Sequence, residues 1–391
     1  MRIFEIGTGY TEIPPKIGAA TEVVVENLYK AFSTVPNVES NLVDIAFDKQ
    51  NKHAPSVYKL YVPASLKGIN DKGYIHLLRR ISYSIKLAFF LKKLAKNISE
   101  DTVFHFHNQF NFFFFYNLIK MGVATKNPKV KLAYTIHSPS WSEDVAPPKN
   151  LKLEVFAIKN SDYVISLTNN IKNNILSQLG SDNKLTDRIN VIPNGVNIEV
   201  YKPIEAVKQR QIVNIGSVCP RKNQLQAIKI LQDFLIKNNF TFVFAGKIID
   251  TEYYNEILSY ISTNSLTDNV KYLGEVEPGH ALNTLYNSSL AYFSVSKSEA
   301  FSLVVLESLA AGLPVVLSDS FNNSLSDIKE LPDCIRISST DLIVNEVDNV
   351  IRQNLDNNRL SDQARKFVTK EYSWHSIVMK HLSAFLFNIN I

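Results

Sequence analysis

The chain is poor in cysteine: Cys219 and Cys334 are the only two in 391 residues. Two thiols cannot by themselves form a metal cluster, and a reducing, cytoplasmic setting is expected. No apolar run is long enough to span a bilayer. The opening residues, Met1 to Gly7, read as a first strand and not as a signal peptide. There is no internal repeat, no low-complexity tract and no Asp-x-Asp metal motif. Residues 74–97 hold no acidic residue at all. What is present is ordinary for an α/β protein: 45% hydrophobic and 20% charged residues, over a length ample for two globular domains.

Charge is unevenly shared. Residues 1–196 carry 24 Lys/Arg against 16 Asp/Glu, a net of +8, while residues 197–391 carry 18 against 21, a net of −3. A basic first half points to an anionic partner there: a membrane surface, an acidic glycan or a nucleic acid.

The most informative stretch runs from Ser296 to Asp319. The apolar run Leu290–Val295 reads as a buried strand, Phe301–Ala311 as a helix closed by Gly312 and Pro314, and Val315–Leu317 as the next strand. Glu299 lies in the loop and Glu307 two turns into the helix. A helix N-terminus offers unpaired amides and partial positive charge, so it can receive a diphosphate. A helix carboxylate facing the loop can accept hydrogen bonds from a ribose diol, and a loop carboxylate can orient a sugar. Taken alone, the two glutamates fit a solvated loop and a surface helix equally well.

The residues around them resemble the Glu-x7-Glu signature of retaining glycosyltransferases with the two-domain GT-B fold, family 4 (glycosyl transferases group 1). Ser296, Glu299, Phe301, Leu303, Glu307, Ala310, Gly312, Pro314, Val315 and Val316 follow the pattern; Ala300 and Ser302 stand where the family usually has Gly. Further matches follow in the family's order. Gly18 falls in the loop after strand 1, within Gly18-Ala19-Ala20-Thr21-Glu22. Asp101, His105 and His107 resemble an Asp-x-x-x-His-x-His run. His137 ends a strand in Tyr-Thr-Ile-His, ahead of Trp141 and Pro147-Pro148. Pro193-Asn194-Gly195 is a turn by its own chemistry and matches the interdomain junction. Gly216-Ser217-Val218-Cys219-Pro220-Arg221-Lys222 matches a phosphate-clamp loop in which Ser217 replaces the usual Arg. Val270–Leu273 leads into Gly274-Glu275-Val276, where the family holds the base through backbone groups. Tyr372-Ser373-Trp374 resembles the closing Phe-Ser-Trp.

The resemblance implies two Rossmann-like, doubly wound parallel-sheet domains facing across a cleft. An acceptor-binding domain spans residues 1–197, a nucleotide-sugar-binding domain spans 198–372, and a C-terminal helix, 373–391, packs back on the first. It implies a hexosyltransferase-type enzyme using a UDP-, GDP- or ADP-sugar as co-substrate, with no metal and no cofactor. The catalytic residues would be His137, Lys222 and Glu299. Donor binding would fall to Gly18, Ser217, Arg221, Lys222, Val276, Glu299, Ala300, Phe301, Ser302, Leu303 and Glu307. The acceptor would be a glycan or lipid-linked hydroxyl in cell-surface polysaccharide or glycoconjugate synthesis. A non-catalytic sugar-nucleotide-binding protein and a nucleotide-sugar epimerase are the alternatives; a nucleic-acid acceptor is not expected. The basic, aromatic-rich helix 74–97 reads as a core-packed helix with a solvated basic face, or as a peripheral contact with an anionic inner membrane face.

Overall fold

The computed structural model describes residues 1–15, 20–48, 54–67, 74–122, 127–137, 141, 151–180, 183–299, 301–321, 331–357 and 359–387. The chain divides into two compact units: Met1–Leu167, Ile171–Ile192 and Val378–Ile391 form the first, Thr168–Asn170 and Pro193–Ile377 the second. Each is built on one parallel sheet.

In the first unit the strands are β1 (Arg2–Ile6), β2 (Glu39–Ala46), β3 (Val57–Tyr61), β4 (Thr102–Phe106), β5 (Val130–Thr135), β6 (Tyr163–Ser166) and β7 (Ile189–Val191), in spatial order 3-2-1-4-5-6-7. In the second they are β8 (Gln211–Ile215), β9 (Thr241–Ala245), β10 (Val270–Tyr272), β11 (Ala291–Ser294), β12 (Val315–Ser318) and β13 (Ile335–Ser338), in order 10-9-8-11-12-13. A parallel sheet has both faces covered by its crossover helices, so its strands are apolar almost throughout. Phe242–Ala245 and Val315–Leu317 are all buried. In both sheets the order reverses beside the first strand, between β1 and β4 and between β8 and β11. Connections leave in opposite directions there, which opens a crevice at the carboxyl ends of the strands.

Strands Thr102–Phe106 and Gln211–Ile215 and the helix Asn169–Leu179 form as the sequence pattern predicts. The helix expected over 301–311 starts later, at Leu303, because Ser302 is its N-cap with φ −94° and ψ 101° and Phe301 turns away to pack on Tyr372 at 6.1 Å between ring centroids. Among the described residues, the helices Leu151–Asn160, Asn183–Arg188, Thr251–Thr263 and His280–Ser288 and the strands Ile189–Val191 and Ile335–Ser338 escape the pattern reading. The two strands are only three and four residues long, too short for a period to show.

Helix Tyr74–Lys96 buries Tyr83, Leu87, Ala88, Leu91 and Ala95 on one face. Its other face leaves Tyr74, Ile75, Leu77, Ile85 and Phe89 exposed, beside the exposed Lys86, Lys93 and Lys96. In the aromatic run that follows β4, Phe112 and Phe115 are buried, while Phe113 is half-buried and packs on Phe156 at 5.3 Å.

Two motifs far apart in sequence meet in the second unit. Val196 donates to the Tyr372 carbonyl at 2.8 Å, and Trp374 lies against Gly195 so closely that a Cβ there would come within 2.6 Å of the indole. Only glycine leaves the indole its place. Gly195→Ala is therefore expected to destabilise the protein by about 1–3 kcal/mol through overpacking. Chemical denaturation with tryptophan fluorescence checks this, and an unchanged midpoint would refute the contact.

Candidate functional site

In the second unit the loops leaving β8, β9 and β11 converge on the crevice. Gly246, after β9, has φ +143°, and a Cβ on it would stand 2.1 Å from the Gly216 carbonyl oxygen after β8. The two turns touch backbone to backbone, which brings the loop carrying Lys222 over the sheet end. Lys222 Nζ donates to Glu299 Oε1 at 2.5 Å, and Arg221 Nη1 lies 3.4 Å from Glu299 Oε2. Arg221 also donates to the Ser298 carbonyl at 2.8 Å, and the Lys297 amide donates to the Arg221 carbonyl at 2.9 Å. Exposure separates the cations: the Lys222 and Glu299 side chains are 16% and 9% exposed, that of Arg221 47%. The lysine pair is therefore shielded, while Arg221 keeps most of its hydration and is weakly held. Ser217 is half-buried, and its carbonyl accepts from Gln224 Nε2 at 2.9 Å. It supplies no charge, and the second cation of this cluster comes from Arg221.

The helix Leu303–Ala310 begins immediately after Glu299, Phe301 and Ser302. Ser302 makes no side-chain cap, so it leaves the first-turn amides to other acceptors. Its negative φ lets a serine replace the family's usual glycine without backbone strain. Gly312 closes the helix with φ +80°. Glu307, one and a half turns in, accepts from Tyr286 Oη at 3.2 Å and also from Tyr201. Burial pushes its carboxyl up to about 7, with the two tyrosine hydroxyls pulling it back. The exit loop of β10 is tied in by Gly246 N to Gly274 O at 2.8 Å and by Leu273 N to Phe244 O at 3.1 Å, and Val276 is half-buried against the core. Ser217, Arg221, Lys222, Val276, Glu299, Phe301, Ser302, Leu303 and Glu307 are thus all placed within the second unit. Gly18 and Ala300, also expected at the donor site, lie outside the described residues, as does Pro147-Pro148.

The first unit holds a cluster that the sequence reading only half found. Glu5 on β1 faces His105 on β4 in register. Its Oε1 lies 3.0 Å from His105 Nδ1 and its Oε2 2.7 Å from His107 Nε2. His105 Nε2 meets Thr135 Oγ1 at 2.7 Å, and His107 Nδ1 meets His137 Nε2 at 2.8 Å. Glu5, His105 and His107 are buried and His137 is half-buried. His381 and Phe385, near the C-terminus, cover His105 with ring centroids 5.6 and 6.0 Å away. Asp101, at the start of the same motif, is at the surface and pairs with Lys129 at 3.0 Å. Glu5 was legible as a lone acid in an otherwise apolar first strand, but nothing local names its partners. Glu5, His105 and His107 bring ligand-type atoms within 4.8 Å of one another. Every ring nitrogen of the two histidines already has a hydrogen-bond partner.

Burial alone would raise the Glu5 carboxyl, but the two imidazoles pull it down to about 2. Burial, then the adjacent His105 ring, lowers His107 to about 4 against the attraction of Glu5. His137 is held well below the ordinary imidazole value by burial and then by His107 and His105. The cluster therefore carries an ionised Glu5 with neutral His107 and His137. Below about pH 6.5 the unfolded chain binds protons that these folded imidazoles refuse, so their own contribution to stability falls as pH drops from 6.5 toward 4. The Glu5 contribution is present above about 4.5 and is lost as pH falls from there toward 2. Because the raised carboxyl of Glu307 shifts overall stability the opposite way, the check is a histidine NMR titration between pH 7.5 and 5: His107 and His137 should stay neutral throughout, and either ring titrating near 6.5 would refute the buried neutral histidines.

Comparison with known proteins agrees with this architecture. Residues 198–367 match the model of Glycosyl transferases group 1, and residues 48–200 match that of Glycosyltransferase Family 4. The chain is 21% identical to the lipopolysaccharide 1,2-N-acetylglucosaminetransferase of Salmonella typhimurium, over 94% of this chain and 93% of that one. Its fold is similar to sucrose-phosphate synthase from Thermosynechococcus elongatus, with a TM-score of 0.73, 17% identity and full coverage of both chains. It is also similar to Anabaena HepE in complex with UDP and glucose, with a TM-score of 0.68, 16% identity and coverage of 98% and 100%. Two parallel-sheet domains in Rossmann order, each matched by a glycosyltransferase model, make this chain a glycosyltransferase of the GT-B fold.

Proposed function

We propose that the protein is a metal-independent, retaining glycosyltransferase that moves a sugar from a nucleotide-diphospho-sugar to a glycan or lipid-linked hydroxyl, in cell-surface polysaccharide or glycoconjugate synthesis. The observation that carries this reading is the convergence of Lys222, Arg221 and Glu299 with an uncapped helix N-terminus at the β8/β11 reversal. The bond to the anomeric carbon breaks with charge building on the departing diphosphate. Lys222, Arg221 and the first-turn amides of the helix at Leu303 meet that charge. Glu299 keeps Lys222 aimed while accepting from sugar hydroxyls. Glu307 accepts from the ribose diol. The departing phosphate takes the acceptor proton, and His137 has the catalytic role that the family resemblance implies.

Arg221 supplies the second positive charge that Ser217 lacks, which favours catalysis over binding alone. A UDP-sugar is the first donor to test, since the structurally similar HepE is seen with UDP and glucose. The exposed aromatic and aliphatic residues of helix Tyr74–Lys96, flanked by Lys86, Lys93 and Lys96, support a peripheral contact with an anionic membrane at its cytoplasmic face. No described helix is long and apolar enough to cross a membrane.

Lys222→Ala should lower turnover about 10²- to 10³-fold with the circular dichroism spectrum unchanged. Undiminished turnover would remove the clamp from the mechanism. An inverted anomeric configuration in the product, read by proton NMR, would overturn retention.

Glu307 gives a second test. Its carboxyl titrates near 7, and only the ionised form accepts both ribose hydroxyls. Affinity for UDP-glucose, whose diphosphate does not titrate in this range, should fall up to about tenfold per pH unit below 7. In Glu307→Gln, binding should be weaker and independent of pH by isothermal titration. A slope surviving in that variant would place the titrating group elsewhere.

A further inference from the structure

We infer that Glu5 is a positioning residue: through His107 it fixes His137 in the tautomer that carries its proton on Nε2 and leaves Nδ1 bare. The inference rests on the reading of His137 as a reacting-site group and extends it to a residue two hydrogen bonds away.

The argument follows the hydrogen bonds from the carboxylate outward. An ionised carboxylate only accepts. Both nitrogens facing Glu5, His105 Nδ1 at 3.0 Å and His107 Nε2 at 2.7 Å, must therefore carry hydrogen. A neutral imidazole holds one proton, so His107 Nδ1 is an acceptor. His137 Nε2, 2.8 Å away, must then donate to it. That uses the single proton of a neutral His137, and its Nδ1 becomes a pure acceptor. It can receive a hydrogen bond from a substrate hydroxyl but cannot give one to a carbonyl or phosphate oxygen. The direction holds whatever charge His105 carries, because His105 meets Glu5 through Nδ1–H in either state and Thr135 can donate to or accept from its Nε2. Among the described residues, those shown against the cluster are His105, Thr135 and, from the C-terminal segment, His381 and Phe385, none of them a carboxylate.

Long-range proton–nitrogen correlation spectra of histidine-labelled protein at pH 7.5 test the assignment without reference to activity. His107 and His137 should each show a protonated Nε2 and a bare Nδ1. The opposite tautomer at either ring overturns the inference. So does one equivalent of bound divalent metal whose removal by a chelator shifts these nitrogens, because they would then be ligands.

Glu5→Gln is the second test. Its amide presents one acceptor and one donor, so the facing rings no longer both see an acceptor. Where the amide nitrogen faces His107, a proton on His137 Nδ1 and a turnover about 10- to 100-fold lower are expected, with little change in the donor KM; where it faces His105, that ring moves its proton to Nε2 toward Thr135 instead. Glu5→Asp, which retains the carboxylate, should restore both. Unchanged tautomers at both His105 and His137 in Glu5→Gln, or a changed His137 with full turnover, refute the inference. If Glu5→Gln does not fold, the wild-type spectrum decides. Confirmed tautomers in a protein with no transferase activity would leave Glu5 and His137 as assigned and refute only the proposed reaction.

Discussion

A parallel sheet must bury both faces, and this constraint organises the molecule. Crossover helices cover the faces, so only the strand ends remain available for polar chemistry. Where strand order reverses, no connection bridges the gap. Both units place their charged clusters there: Glu5, His105 and His107 beside β1 and β4, and Lys222, Arg221 and Glu299 beyond β8 and β11. The apolar strands are the scaffold, and the polar groups sit in their last residues, as Glu5 and His105 do, or in the loops just beyond. Gly246 against Gly216 shows how tightly the scaffold dictates the loops, since a single methyl group would separate the turns that hold the lysine.

Two buried acids solve the same desolvation problem in opposite ways. Glu5 is surrounded by imidazole N–H groups that stabilise its charge more than burial opposes it, and it titrates near 2. Among the described residues Glu307 is met by two phenol hydroxyls and by no cation, and burial pushes its carboxyl up to about 7. The first is therefore a permanent anion able to dictate the protons of its neighbours. The second changes charge close to neutrality, which suits a group whose ligand must supply the missing hydrogen bonds. Burial is common to both, and the partner decides the outcome.

Much of this was legible in the chain. The apolar runs gave most strands to within two residues, and Gly312 with Pro314 marked a helix end that the backbone adopts. The spacing of Glu299 and Glu307 gave a loop carboxylate and a helix carboxylate. The helix start was misplaced because Phe301 adjoins the good helix formers from Leu303 on, while its ring is drawn out by Tyr372, a partner 71 positions along the chain. Arg221 as the neighbour of Glu299 could be raised as an option from sequence but not chosen, since side-chain reach depends on the loop path.

The sequence by itself determined the two-domain α/β class, the order of the elements and the motif residues, because hydrophobic period, turn chemistry and local spacing are properties of neighbouring residues. Tertiary structure alone decided which polar residues meet. Glu5 and His107 are 102 positions apart and bond only because β1 and β4 are adjacent and in register. Gly195 needs to be glycine only because Trp374 lies on it. Such contacts depend on strand pairing and helix placement, which local spacing does not encode, and they set the protonation and geometry of the candidate site.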